Sequence, residues 1–210
     1  MRTSWEQVLE GISQCEKCGL CKTRHSTVPG EGNVHARVLF VGEGPGADED
    51  AQGRPFVGRA GQLLTQMILA IGLKREEVYI ANIVKCRPPQ NRTPLPEEAQ
   101  ACLPWLRMQT GLIKPDIIVC LGATAGKWII DPELRITRDR GKWVHRKGVW
   151  ILPTFHPSAL LRDESLKRPA WEDMKKLRDK LRELEAADVA ESKTETTETG
   201  TGGTGMPGVR

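Results

Sequence analysis

A chain of 210 residues, 39% hydrophobic and 28% charged, is long enough for one α/β domain with a buried core and has the composition of a water-soluble globular protein. No apolar run approaches the length of a membrane-spanning helix, and the opening MRTSWEQVLE has no hydrophobic signal region, so the expectation is a cytoplasmic protein without membrane attachment. The net charge of +4 is compatible with a nucleic-acid partner but does not require one.

In chain order, Ser4 and Gln7 fit a capping box opening a short helix that carries Val8, Leu9 and Ile12. Arg37-Val38-Leu39-Phe40-Val41 is a short apolar run closed by glycine and reads as a buried strand. Leu63, Leu64, Met67, Ile68 and Ile71 share one helical face, with Gly72 as the stop. Val78-Tyr79-Ile80-Ala81 reads as a second strand. Pro96-Glu97-Glu98 starts a helix with acids in its first turn, where the helix dipole favours them. Asp116 to Leu121 is a third strand, Gly122-Ala123 opens another helix, and Val149 to Leu152 is a fourth strand. A charged helix follows from about Trp171 to Ala186. From Ala187 the chain turns to Thr, Glu and Gly without hydrophobic period, so a domain over 1–186 and a disordered tail over 187–210 are expected. Apolar strands alternating with helices imply an α/β fold with a mostly parallel sheet covered on both faces.

Ligands of such sheets bind beyond the carboxyl ends of the strands. The first strand is followed by Gly42-Glu43-Gly44-Pro45-Gly46, the second by Asn82, and the fourth by Pro153-Thr154-Phe155-His156-Pro157-Ser158. A carboxylate, an amide and an imidazole are therefore expected at one edge, although each alone can be a helix cap or loop bond. The glycines give a tight loop whose backbone can approach a ligand. They do not meet the GxGxxG fingerprint, and Gly122-Ala123-Thr124-Ala125-Gly126-Lys127-Trp128 falls short of a phosphate loop, which argues against nucleotide hydrolysis.

Cys15 and Cys18 form a CxxC pair, and Cys86 and Cys102 follow far downstream. Four thiolates from two segments suit a tetrahedral zinc or an iron–sulfur cluster, and spacing does not separate the two. Cys120 lies in an apolar strand and reads as core, whereas Cys21 reads as a spare ligand or a free cysteine near the site. Around Cys86 the chain is basic and stiff, Lys85-Cys86-Arg87-Pro88-Pro89-Gln90-Asn91-Arg92. Lys85, Arg87 and Arg92 are candidates to contact DNA phosphates, the alternative being a solvated basic loop.

Together, CEKCGLC, VGEGPGADEDAQGRPFVGRAG, ANIVKCRPPQNRTP, EEAQACLPWL, PDIIVCLGATA and PTFHPSALLR resemble the iron–sulfur, family-four uracil-DNA glycosylases, over about residues 4 to 185. The resemblance implies a three-layer α/β/α sandwich with a central four-stranded parallel sheet, and a [4Fe–4S] cluster on Cys15, Cys18, Cys86 and Cys102 with zinc as the alternative occupant. It implies a DNA-repair enzyme that flips uracil from single- or double-stranded DNA and hydrolyses its N-glycosidic bond without cutting the strand. In that picture Phe56 stacks on the base, and Asn82 reads its edge. Gly42 lines the pocket, and Glu49 excludes the thymine methyl. His156 holds the charge that develops at uracil O2, and Glu43 stabilises the sugar cation or orients water. Leu160 is the apolar wedge, with Ser158 and Arg162 beside it on the DNA. No histidine lies between Cys86 and Pro94, so a covalent trap is not expected, and His25, His35 and His145 read as surface residues.

Two other classes fit parts of this pattern. A non-catalytic DNA-binding module with structural zinc would bind uracil-DNA without releasing the base. A redox-sensing iron–sulfur protein would tune DNA affinity through its cluster. A monomeric glycosylase acting on DNA in the cytoplasm accounts for more of the residues than either.

Overall fold

The computed structural model describes residues 4–198, with side chains to residue 190. The helices are α1 (Trp5–Ser13), α2 (Ala47–Gln52), α3 (Arg59–Ala70), α4 (Pro96–Ile113), α5 (Ala123–Ile129), α6 (Ile136–Asp139), α7 (Pro157–Arg162) and α8 (Lys167–Glu198). The strands are β1 (Glu31–Gly32), β2 (Val38–Gly42), β3 (Tyr79–Asn82), β4 (Ile117–Leu121), β5 (Val144–Arg146) and β6 (Val149–Thr154). Ser4 and Gln7 make the expected capping box on α1.

The strands form one six-stranded sheet in the order β1-β3-β2-β4-β6-β5. Its centre is parallel, with β3, β2, β4 and β6 side by side, while β1 and β5 add antiparallel edges. The expected four-stranded parallel sheet is therefore corrected to a six-stranded mixed one. The two edges escape sequence detection because β1 is two residues long and β5, Val144-His145-Arg146, is three residues and largely exposed, too short for periodicity to register. The four central runs are apolar and β-branched or aromatic, as buried strands require.

Alternate residues of these strands feed two cores. Leu39, Val41, Ala81, Ile118 and Cys120 face α1, α4 and α5, where they meet Val8, Ile12, Leu103, Leu106 and Ala125. Val38, Phe40, Ile80, Val119 and Leu152 face α3 and α8, meeting Leu64, Ile68, Met174 and Leu177. Helices thus cover both faces. Cys120 is wholly buried in the first core.

The last helix is longer than its apolar face suggests. The tail expected from residue 187 begins instead as helix, which runs to Glu198; Asp188 pairs with Arg37 at 2.9 Å, and Ala, Glu and Lys in this stretch favour helix propagation. The rest of that tail, 199–210, lies outside the described residues. Among the described residues no helix is long and apolar enough to cross a membrane.

Candidate active site and cysteine centre

Parallel register brings the carboxyl ends of the central strands to one edge. Gly42 lies beside Asn82, and Leu121 beside Thr154. The segments leaving these ends, with the start of α3, enclose a cleft of about 740 Å³ lined by Glu43, Glu49, Phe56, Asn82, Thr124 and His156 among others. The carboxylate, amide and imidazole anticipated from position alone do converge.

Asn82 is 2% exposed, and its side-chain Oδ1 has no hydrogen-bond partner. A buried acceptor left unpaired costs about 1–3 kcal/mol, so its orientation toward the cleft calls for a donor from a ligand. Gly42 is required at this point. A Cβ there would lie 2.5 Å from both Asn82 Oδ1 and Phe56 Cζ.

Phe56 sits at φ 51°, a left-handed conformation unfavourable for a bulky side chain. Its neighbours hold it there. The Glu49 carboxylate accepts from the backbone N–H groups of Val57 (2.9 Å) and Gly58 (3.0 Å), and with its other oxygen from Gly46 (3.0 Å). Arg75 donates to the Pro55 carbonyl at 2.6 Å. Gly61 lets α3 approach, since a Cβ there would lie 1.8 Å from the Phe56 carbonyl oxygen. The ring ends 5.6 Å from that of His156, tilted by 31°. Glu49 thus lines the cleft while tying the Gly46 loop to the Phe56 turn.

His156 is the N-cap of α7, and its Nδ1 accepts from the Ser158 backbone N–H at 3.1 Å, with Ser158 Oγ at 2.8 Å. Burial, with the nearby Arg162 charge, pushes its pKa down to about 4. The imidazole is therefore neutral near pH 7, and because Nδ1 accepts, the proton resides on Nε2. Glu43 accepts a hydrogen bond from the Thr124 hydroxyl, and its backbone carbonyl accepts from Val84 N–H at 3.2 Å. Thr124 was not anticipated from the sequence. The strand-end rule applied to Leu121-Gly122-Ala123-Thr124 reaches it directly. Arg59, exposed in the cleft wall at the start of α3, is a second unanticipated residue.

The proposed DNA contacts divide. Arg162 is exposed and, like Ser158 and Arg92, lines the cleft. Arg92 is held by a two-pronged pair with Glu98 at 2.8 and 2.7 Å, and Arg87 donates to Asn91 at 2.8 Å. Lys85 is a correction. It is 1% exposed and donates from Nζ to the Asn82 carbonyl at 3.0 Å, so it has no path to a phosphate. Leu160 is another. It is 2% exposed, packed in a small core with Phe155 and Ala170, because it lies on the inner face of α7; Leu161, 40% exposed, is the apolar side chain that α7 presents to solvent.

A second cavity is lined by Cys15, Cys18, Cys86 and Cys102, with Cys21 at its wall. None of the cysteines is in a disulfide. Burial pushes the Cys18 and Cys86 thiols up and Cys102 to about 11. Against that, N–H donors converge on the sulfurs: Trp105 on Cys15 (3.3 Å), Arg24 on Cys86 (3.4 Å) and the Lys85 backbone on Cys102 (3.2 Å). Buried and half-buried thiols with N–H donors and two cations, Arg24 and Lys85, around them fit a centre in which a bound metal keeps the sulfurs ionised. Among the described residues no three His, Cys, Asp or Glu side chains are grouped to hold a single metal ion.

Parallel strands ending in a loop-lined cleft that gathers an amide, a carboxylate and a neutral imidazole define an α/β protein with its ligand cleft at the strand ends. The sequence model of the Uracil DNA glycosylase superfamily matches residues 29–175, and the chain belongs to that superfamily. It is 51% identical over 177 residues to a type-4 uracil-DNA glycosylase of Thermotoga maritima, covering 81% of this chain and 91% of that one. Type-4 enzymes of Archaeoglobus fulgidus (46% over 182 residues, 83% and 92% covered) and Sulfurisphaera tokodaii (46% over 185 residues, 84% of each covered) match similarly.

Proposed function

We propose that this protein is a uracil-DNA glycosylase of the type-4 kind, removing uracil from DNA and leaving an abasic site. The observation that carries this is the unpartnered, buried Oδ1 of Asn82 in a cleft walled by Phe56 and His156. Uracil offers a donor at N3 and an acceptor at O4. The Asn82 amide accepts from the first with Oδ1 and donates to the second with Nδ2. Cytosine presents the opposite pattern, leaving buried groups unpaired. Phe56, in the cleft wall, is assigned the stacking face, and Glu49, which lines the same cleft, is assigned to exclude a C5 methyl.

As the glycosidic bond breaks, negative charge grows on the base and positive charge on the sugar. The neutral His156 donates from Nε2 to uracil O2, strengthening as that charge develops. Glu43, whose carboxylate Thr124 holds in the cleft, is assigned to the sugar side, where it stabilises the cation or orients the water. No lysine is among the described residues lining the cleft, which supports hydrolysis without a lyase step.

Cys15, Cys18, Cys86 and Cys102 would hold the [4Fe–4S] cluster. These four cysteines line one small cavity, and an all-thiolate donor set suits an iron–sulfur cluster, with zinc as the alternative occupant. Bound there, the cluster would cross-link the N-terminal segment, the segment after β3 and α4.

The test is base release from oligonucleotides carrying a single uracil, with thymine and cytosine controls. Uracil release alone, with strands cut only after added base, is expected. Binding without release from iron-replete protein would replace this function with that of a binding module.

A further inference from the structure

The stretch from Asn82 to Cys86 touches both sites. On one side Ile83 and Val84 donate to the carbonyls of Gly42 and Glu43 at 3.0 and 3.2 Å, extending the β2–β3 pairing past the strand ends. On the other, Lys85 N–H donates to Cys102 Sγ at 3.2 Å, and the Lys85 carbonyl accepts from Val28 at 2.7 Å. The Lys85 ammonium, 1% exposed, then turns back to the Asn82 carbonyl at 3.0 Å. A buried ammonium with one neutral acceptor is poorly compensated unless an anion stands near. Lys85 lines the same cavity as the cysteines, and their sulfurs are the anions that the described residues of that cavity offer, ionised when they hold metal.

We propose that Lys85 is a positioning residue that couples the cysteine centre to uracil recognition. Metal-bound thiolates hold the ammonium in place, and the ammonium fixes the Asn82 peptide and hence the aim of its side-chain amide. Resting on the uracil-excision function above, this gives the centre a role in reading the base, distinct from gripping the DNA backbone.

The test uses the full-length, iron-loaded protein and Lys85→Met, which keeps the length of the side chain and removes its donor and charge. Iron content and visible absorbance report the cluster; calorimetry with free uracil and with a uracil-free duplex reports the two kinds of binding. The expected result is full iron, uracil binding about tenfold weaker, the size of one charge-assisted hydrogen bond, and unchanged duplex affinity. Full iron with unchanged uracil binding overturns the coupling, as does equal loss of duplex affinity. If the variant loses iron or fails to fold, the wild-type protein decides. Iron is removed by oxidative chelation and the fold verified by circular dichroism. Weakened uracil binding with unchanged duplex affinity then supports the coupling, and unchanged uracil binding overturns it. A wild-type protein that neither binds nor releases uracil would instead fail the underlying function.

Discussion

The Thr124 hydroxyl donates to the Glu43 carboxylate, joining the first turn of α5 to the loop that follows β2. Those elements leave adjacent parallel strands, so the bond fixes Glu43 across the mouth of the cleft. Thr124→Val keeps the shape and removes the donor. A hydrogen bond to a charged group is worth about 1.5–3 kcal/mol, so single-turnover uracil release should fall roughly ten- to hundredfold with uracil binding preserved. Thr124→Ser should recover most of the rate. Equal rates for Val and Thr would remove Glu43 orientation from the mechanism.

Gly42 stands between the base-reading amide and the stacking ring. Gly42→Ala drives a Cβ to 2.5 Å from Asn82 Oδ1 and from Phe56 Cζ. Overpacking of this kind costs about 1–3 kcal/mol of stability, and here it also occupies the space where the two groups grip the base. Thermal unfolding should show a modest loss and free uracil should cease to bind. Normal uracil affinity in the variant would mean that the base sits elsewhere.

His156 gives the clearest pH signature. Its folded-state pKa is depressed, chiefly by burial, to about 4, against 6.5 for an unperturbed histidine. The unfolded chain thus binds a proton first as pH falls. The contribution of His156 to stability is intact above about pH 6.5 and lost progressively as pH falls through 4. Protonation would also set Nδ1–H against the Ser158 N–H that it now accepts from. An NMR titration of the His156 ring should show a midpoint near 4, and base release should not follow a group titrating at 6 to 7. His156→Ala should cost about 2.7–4 kcal/mol of transition-state stabilisation, as loss of one oxyanion donor does. A ring that titrates near 6.5 would contradict the neutral-donor role.

Adjacent leucines on α7 should separate stability from DNA distortion. Leu160, packed with Phe155 and Ala170, should cost about 2–5 kcal/mol on truncation to alanine. Leu161, 40% exposed, should cost little stability. If it fills the gap left by a flipped base, Leu161→Ala should slow excision from duplex DNA more than from single strands. Equal slowing on both substrates would take the wedge role from Leu161.

Much of this site was legible because parallel sheets place function where strands end. Glu43, Asn82 and His156 followed from runs such as Val38 to Val41 and the polar residue just after each. Residues whose role depends on a partner distant in sequence were not legible. Lys85 reads as part of a basic loop, and only tertiary packing shows that the Cys102 segment covers it. Leu160 and Leu161 differ by one helical step, and which faces inward depends on where α8 and the small core beneath α7 lie. Thr124 was hidden by a misleading likeness of its segment to a phosphate loop. The edge strands β1 and β5 carry too few residues for any period, and the extension of α8 to Glu198 has no apolar period in the sequence to announce it.

The same burial pattern sorts the basic residues by their effect on DNA affinity. Arg162 lines the cleft and is exposed, and Arg87 is half-buried on the loop beside Pro88, so both can neutralise a phosphate. Arg92 is already paired to Glu98, which should weaken its contribution. Each phosphate contact contributes about −0.9 to the slope of log K against log salt. Arg162→Gln and Arg87→Gln should each flatten the slope by roughly one and weaken binding regardless of sequence. Arg92→Gln should flatten it less, and Lys85→Met not at all, because a side chain that releases no counterion cannot appear in the slope. A flattened slope for Lys85→Met would place its ammonium on the DNA, contrary to its hydrogen bond with Asn82.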